Sequence, residues 1–472
     1  MRAHEAGVLH ADIGSRGPAW LQTPTDPNEL VAALWARTVA RGPSGQLEVG
    51  GVAVGDLAKK HGTPAYVVDE DDFRARARGF REAFESAFAP LGGAHVFYAG
   101  KAFLCTATSR WVAEEGLSLD VCTGGELAVA LRGGFPAERI AVHGNNKSER
   151  ELVRALDAGV GRIVLDAPEE IGRLARLARD RGVRAPVLVR VTVGVEAHTH
   201  EYIATAHEDQ KFGFSLAGGA AAEAVREVLA EPPLALLGLH SHIGSQIFDT
   251  SGFEVACRRV LGLHAAVREE HGRELPELGL GGGFGIAYTT QDDPLPAAEL
   301  AEGLAGIVRH ECAGYGVPVP RVSVEPGRAV AGPSTFTLYE VGTVKRVELD
   351  AGAERIYVAV DGGMSDNIRT ALYDADFSCA LAGRSSTAAP VLSRVVGKHC
   401  ESGDILVKDE FLPGDVRAGD LLAVPATGAY CRSMASTYNH VPRPPVVAVH
   451  DGRSRVLVRR ETEEDLLRLD LG

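Results

Sequence analysis

Short, almost continuously apolar runs alternate with stretches of helical spacing through the first two thirds of the chain. The runs fall at His95–Gly100, Leu117–Cys122, Arg139–His143, Arg162–Leu165, Pro186–Val191, Ala235–His240, Glu277–Gly281 and Arg321–Glu325. Continuous rather than alternating apolar character is how parallel strands covered on both faces read. Between them, Gly125–Leu131, Glu149–Leu156, Glu169–Arg179, Ala220–Leu229, Phe253–Glu270 and Ala298–Cys312 carry helical patterns. Eight strand–helix units over roughly 250 residues predict a (β/α)8 barrel of TIM type. An open doubly wound sheet is the rival, and the count of eight and the lack of GxGxxG after the first run favour the barrel.

Beyond about Pro333 the pattern turns to strands alone: Thr335–Val347, Arg355–Val360, Val391–Gly397, Asp404–Lys408, Asp420–Val424, Val446–His450 and Arg455–Arg459, with turns such as Pro413-Gly414-Asp415. This predicts an all-β domain. Upstream, Val54–His61 reads as a helix and Ala65–Val68 as a strand. Asp69–Asp72 opens a helix continued by Phe73, Phe80, Phe84 and Phe88. The strand near Tyr66 is expected to complete the β domain, which both chain ends then build. Residues 1 to about 48, rich in Pro, Gly and polar side chains, are expected to form an irregular arm. The expected divisions are 1–69 (arm and joining strand), 70–333 (barrel) and 334–472 (β domain).

Composition narrows the function. The 472 residues carry a net charge of −14, which argues against nucleic acid or an anionic membrane as partner. No apolar run is long enough to span a bilayer, and Met1–Trp20 lacks the apolar stretch of a signal peptide. Seven widely spaced cysteines without a CxxC pair point to reduced thiols in the cytoplasm, and to neither a disulfide frame nor a zinc site. His198, His200 and His207 lie in a long polar insertion (Glu196 to Gln210) without an obvious carboxylate or cysteine shell, so a solvated loop is preferred to a metal site there.

The candidate chemistry gathers at strand ends. Strand alternation would place Phe97, Ala99, Lys101 and Phe103 on one face. Burying a free ammonium there is costly, which suits a lysine acting as a neutral nucleophile, for example in a Schiff base. A single lysine at a strand end more often snorkels to water. Asp120 lies on the second strand, and His143-Gly144-Asn145-Asn146-Lys147 follows the third. His242 follows the sixth, Gly281-Gly282-Gly283-Phe284-Gly285 the seventh and Glu325-Pro326-Gly327-Arg328 the eighth. All are C-terminal strand ends, where such barrels build active sites. Singly, each has an ordinary explanation: a flexible turn, a satisfied core histidine, a local salt bridge. Together, a lysine, a glycine-rich phosphate loop, a carboxylate for a ring nitrogen and a histidine for stacking fit pyridoxal 5′-phosphate.

These motifs, with Phe97-Tyr98-Ala99-Gly100-Lys101-Ala102, His240-Ser241-His242-Ile243-Gly244-Ser245-Gln246, Cys400-Glu401-Ser402-Gly403-Asp404 and Gly428-Ala429-Tyr430, closely resemble the alanine-racemase-type (fold III) pyridoxal-phosphate-dependent decarboxylases. The likeness runs from about residue 50 to the C-terminus. It implies a barrel plus a β domain and a homodimer with shared active sites. Lys101 would carry the cofactor, His242 would stack on its ring and Glu325 would meet its nitrogen. Asp120, Ser245, Gly282, Gly283, Gly327, Arg328 and Tyr430 would complete the cofactor site. Arg328, Arg369, Tyr373, Glu401 and Tyr430 would bind substrate, and Cys400 would deliver a proton. No metal is implied. Within the family the motifs are most similar to the branch that converts meso-2,6-diaminopimelate to L-lysine and CO2. Opposite charges on Arg369 and Glu401 would match the carboxylate and ammonium of that substrate's far end. Ornithine or arginine decarboxylation, amino-acid racemisation and a non-catalytic relative are the competing readings. Gly100 and Phe103 depart from the family pattern, where a larger residue and an asparagine are usual, and Gly100 is expected to leave space beside the cofactor.

Overall fold

The computed structural model describes residues 17–195, 211–348 and 354–472. The His198–His207 stretch lies outside the described residues. Two units emerge. One comprises Arg74–Gly285 and Pro294–Val330, the other Met1–Phe73, Ile286–Asp293 and Ala331–Gly472.

The first unit is the barrel. Its strands are β1 (Ala94–Ala99), β2 (Ser118–Val121), β3 (Ile140–Val142), β4 (Arg162–Leu165), β5 (Ala185–Thr192), β6 (Leu234–His240), β7 (Glu277–Gly279) and β8 (Arg321–Val324). Each pairs in parallel with the next, and β8 pairs with β1, so the sheet closes. Closure buries both faces of every strand, which is why the sequence runs are continuously apolar. Helices between the strands start and stop where their caps dictate. Ser148 and Glu151 form a reciprocal capping box for Glu149–Ala158, and left-handed Gly159 ends that helix. Phe80, Phe84 and Phe88 stack along one face of Glu70–Phe88, and Phe284 joins them at 5.9 Å from Phe80. The helix Thr106–Glu114 was not anticipated from its pattern.

The two ends of the barrel carry charge differently. At the N-terminal ends of β4 and β7, Arg162 grips Glu277 in a bidentate pair at 2.7 and 2.5 Å and lies over Phe97. This neutralised plug is the stabilising end. The C-terminal end holds the groups described below.

In the second unit, the early strand Ala65–Asp69 is central. It runs antiparallel to Thr335–Glu348 (Val68 opposite Thr335) and parallel to Val446–His450 (Tyr66 opposite Val446). The chain ends therefore share one sheet, as anticipated. The arm differs from expectation. Ala40–Arg41, Leu47–Val49 and Val52–Ala53 form a small antiparallel sheet. Leu34, Trp35, Leu47 and Val49 pack into one core with Phe336, Leu338 and Ala382. Arg41 donates to the carbonyls of Asn28, Gly45, Leu381 and Arg384. Widely spaced apolar residues carry no periodicity, so this packing left no trace in the pattern. Ile286–Asp293, assigned to the barrel from sequence, groups with this unit. Ala287 enters its core, and Tyr288 meets Phe377 edge-on at 5.0 Å.

His264, on the helix Ser251–His271, has an Nε2 without a hydrogen-bond partner among the described residues, and burial lowers its pKa from 6.5 to about 4. The folded protein thus keeps the imidazole neutral where the unfolded chain protonates it. Stability should fall as pH drops below 6.5 and level off below about 4, by roughly 3 kcal/mol in all. Urea unfolding at pH 7 and pH 5 should show a loss about 2 kcal/mol larger for wild type than for His264→Leu. Equal pH dependence in the two proteins would contradict this.

Candidate active site

β1 ends at Ala99. Gly100 N–H donates to the Asp120 carbonyl at 2.8 Å, and Ala102 N–H donates to the Ala99 carbonyl at 3.1 Å. The chain therefore turns at Gly100–Lys101, and Lys101 is exposed at the barrel mouth. This corrects the expectation of a buried lysine on a strand face shared with Phe103. Period-2 alternation holds only while the strand continues, and here it stops one peptide early. The ammonium still lies close enough to act on Asp120 and His242. The space expected beside Gly100 is also absent: a Cβ there would sit 2.8 Å from the Asp120 carbonyl. Glycine at this position answers the close approach of β1 and β2.

Below the mouth lies a polar floor. Glu325 follows β8 and is 7% exposed; its Oε1 lies 2.7 Å from Nε2 of His240, the last residue of β6. His143, after β3, places Nε2 3.7 Å from both Glu325 Oε1 and Asp120 Oδ1. Burial is the largest influence on Glu325 and would raise its pKa, but His240, His143 and His242 together outweigh it and hold the carboxyl well below its usual range. Asp120 goes the other way: burial, then the neighbouring Glu325 charge, push it well up. Two nearby buried carboxyls are thus pushed in opposite directions, Glu325 toward the ionised form and Asp120 toward the protonated form. Burial lowers His143 and His242 well below the ordinary imidazole range. Buried Arg190, on β5, faces the same charges and lies 3.7 Å from Asp166. His240 and Arg190 were not singled out from sequence, because their types gave no signal until β5, β6 and β8 were brought together.

The glycine run after β7 makes this floor possible. A Cβ on Gly281 (φ +71°) would lie 2.5 Å from the Ser241 carbonyl and 2.8 Å from His242 Nδ1. On Gly282 it would lie 2.2 Å from the Glu325 carbonyl, and on Gly283 (φ +100°) 2.3 Å from the Gly244 carbonyl. These glycines, expected from sequence to form a phosphate cradle, provide the room in which the β6 and β8 ends stand. Gly282 N–H donates to His242 Nδ1 at 3.1 Å, which fixes that nitrogen as an acceptor. Arg328, buried, donates to Ser245 Oγ at 2.8 Å. Gly327 packs on Ala99, where a Cβ would come within 2.8 Å. An exposed amine, a half-buried imidazole held in one tautomer, an ionised carboxylate and a guanidinium–hydroxyl pair form a donor set suited to a planar, anionic aldehyde with a basic ring nitrogen. The floor's three closest groups, His143, His240 and Glu325, bring one ring nitrogen or carboxylate oxygen each within 4.8 Å of one another, and His240 and Glu325 meet at 2.7 Å.

The β unit carries the remaining candidates. Arg369 opens the helix Arg369–Tyr373 and is 5% exposed. Its guanidinium lies 5.4 Å from the ring centres of Tyr288 and Tyr373 and 5.7 Å from that of Tyr430, and its Nε has no hydrogen-bond partner among the described residues. A buried cation held by ring faces keeps its N–H groups for an anion. Tyr288 was not anticipated; nothing local distinguishes it. Cys400 and Glu401 are both exposed. They leave a turn clamped by Asp404, whose carboxylate accepts from the N–H groups of His399 and Met364 at 2.7 and 2.6 Å. The His399 ring is fixed between Ser365 and Asn439.

Residues 71–332 match the family model for the pyridoxal-dependent decarboxylase, pyridoxal binding domain. The chain is 57% identical to the diaminopimelate decarboxylase of Mycobacterium tuberculosis, covering 94% of this chain and 98% of that one. It is 54% identical to that of Mycobacterium leprae over the full length of both. Among solved structures, the diaminopimelate decarboxylase of M. jannaschii in complex with L-lysine superposes with a TM-score of 0.85 at 30% identity, covering 93% of this chain and 98% of the other.

The glycine run supplies a direct test. Gly283→Ala combines a left-handed backbone with a backbone clash and should destabilise the protein by at least ~2 kcal/mol. Gly125→Ala, on a helix with no neighbour nearer than 3.6 Å, should be neutral or stabilising by up to ~1 kcal/mol. Denaturant unfolding of both variants distinguishes them; similar midpoints would show that the loop tolerates a side chain.

Proposed function

The chain belongs to the diaminopimelate decarboxylases, within the pyridoxal-dependent decarboxylase family, and from that premise we propose that it converts meso-2,6-diaminopimelate to L-lysine and CO2, the last step of the diaminopimelate route to lysine. The observation that carries this is near-full-length identity above one half to proteins of that name. The cofactor is pyridoxal 5′-phosphate, whose family model covers the barrel. When bound, it supplies an electron sink for the pair left by the departing CO2.

The chain's own residues divide the remaining work. Lys101, at the barrel mouth, holds the cofactor's aldehyde carbon. His242 packs on its ring, and Glu325 meets the ring nitrogen as an anion and keeps a proton there. Asp120, whose pKa burial and the Glu325 charge push up, lines the same floor with less tendency to add a second negative charge. Gly282, Gly283, Gly327, Arg328, Ser245 and Tyr430 take the phosphate. Arg369, with Tyr373 and Arg328, takes a substrate carboxylate, and its unpartnered Nε supports that role. Glu401 matches the far ammonium. Leaving either far-end charge unmatched on desolvation costs several kcal/mol, which disfavours simple diamines and monoamino acids. Cys400 moves the final proton to carbon.

Exposure of both Cys400 and Glu401 supports their serving the site of a second subunit in a homodimer. Seven free thiols fit a reducing compartment, the cytoplasm. Among the described residues no helix is long and apolar enough to cross a membrane.

Purified protein with pyridoxal 5′-phosphate should release CO2 from meso-2,6-diaminopimelate and yield L-lysine; a higher kcat/KM on ornithine or arginine would overturn the assignment. Lys101→Ala should lose the cofactor's visible band along with activity. Cys400→Ala should keep the band and lose kcat by ~10²- to 10⁴-fold. Mixing the two inactive variants and allowing subunit exchange should restore up to about a quarter of wild-type activity, since half of each mixed dimer's sites regain both residues. No recovery would argue against shared sites.

A further inference from the structure

Two histidines of the barrel floor have no part in the roles above. His240 is 1% exposed, with Nε2 2.7 Å from Glu325 Oε1. His143 meets it edge-on, ring centres 4.9 Å apart and planes at 73°, and stands 3.7 Å from the same carboxylate oxygen. The packing leaves the His240 ring little freedom. Gly279, on β7, faces it so closely that a Cβ there would lie 2.7 Å from its Cδ2. Its Nδ1 is buried and has no hydrogen-bond partner among the described residues. Nε2 is therefore the ring nitrogen engaged, and Nε2–H donates to the Glu325 carboxylate. The other charged or titratable groups facing this carboxylate are Asp120 from β2, Arg190 from β5, and His242 beyond β6. Lys101, beyond β1, acts on Asp120 and His242.

We infer that His240, braced by His143 and given room by Gly279, is a positioning residue that holds the Glu325 carboxylate in one orientation, as an anion, for the ring nitrogen of the cofactor. This rests on the proposed placement of Glu325 against that nitrogen. A carboxylate free to rotate or to take up a proton would bind the protonated ring less well and would let its proton leave at lower pH.

The test uses the holoenzyme and three variants: His240→Leu, which removes the donor; His240→Gln, which keeps an N–H donor; and Glu325→Gln. The readouts are cofactor affinity by equilibrium dialysis, the pH titration of the bound cofactor's visible band, and the thermal midpoint of the apoprotein. His240→Leu should weaken cofactor binding at least tenfold and shift the pH midpoint of the band by a unit or more. His240→Gln should recover most of both. In a Glu325→Gln background, His240→Leu should change affinity by less than twofold. Should His240→Leu fail to fold, Gly279→Ala, which displaces the ring without removing it, should show the same spectral shift. A wild-type spectrum and affinity in the His240 or Gly279 variants, or an undiminished His240→Leu effect in the Glu325→Gln background, would overturn the inference. If Glu325→Gln itself leaves the spectrum and affinity unchanged, the placement of Glu325 fails and the inference with it.

Discussion

A carboxylate that must stay ionised while buried is the constraint on which this barrel end depends. Glu325 stands where desolvation favours the neutral acid, and three imidazoles reverse that preference. His240 does so through a direct hydrogen bond, while burial pushes the pKa values of His143 and His242 themselves well down. Asp120 is pushed the opposite way, by burial first and then by the Glu325 charge. The floor is therefore one electrostatic unit, in which each group's state follows from its neighbours.

That unit could not exist beside an ordinary strand. From Gly279 to Gly283 the chain approaches His240, His242, Glu325 and Gly244 within distances that exclude a Cβ at Gly279, Gly281, Gly282 and Gly283. Packing and electrostatics thus share one cause: a glycine-rich strand end lets the polar side chains of His240, His242 and Glu325 stand close beside it. The barrel's other end solves the same problem of buried charge by pairing Arg162 directly with Glu277. A closed ion pair stabilises but has little left to offer a ligand.

The β unit shows a third solution. The guanidinium of Arg369 is buried against three tyrosine rings. Ring faces attract a cation without saturating its N–H donors, so the charge stays available to an incoming anion. Opposite in character, Cys400 and Glu401 stand exposed on a turn whose backbone is clamped by Asp404. Rigidity there comes from main-chain hydrogen bonds, which leave the two side chains outward.

Much of this was legible in the chain itself. Continuously apolar runs pointed to a parallel sheet buried on both faces, and their count of eight, without GxGxxG after the first, favoured the closed barrel over an open sheet. Lys101, His242, Glu325 and Arg328 were readable because their motifs are contiguous and fall at strand ends. What the sequence could not carry was anything requiring two distant segments to meet. His240 gains its significance only from Glu325, Tyr288 only from Arg369, and the arm's apolar residues only from the Phe336 core. The turn at Gly100, which puts Lys101 outside the strand, follows from the approach of β1 to the Asp120 backbone and not from any local preference. Local pattern records which faces must be buried; it does not record which partner buries them, and the charge states of this site depend on that partner.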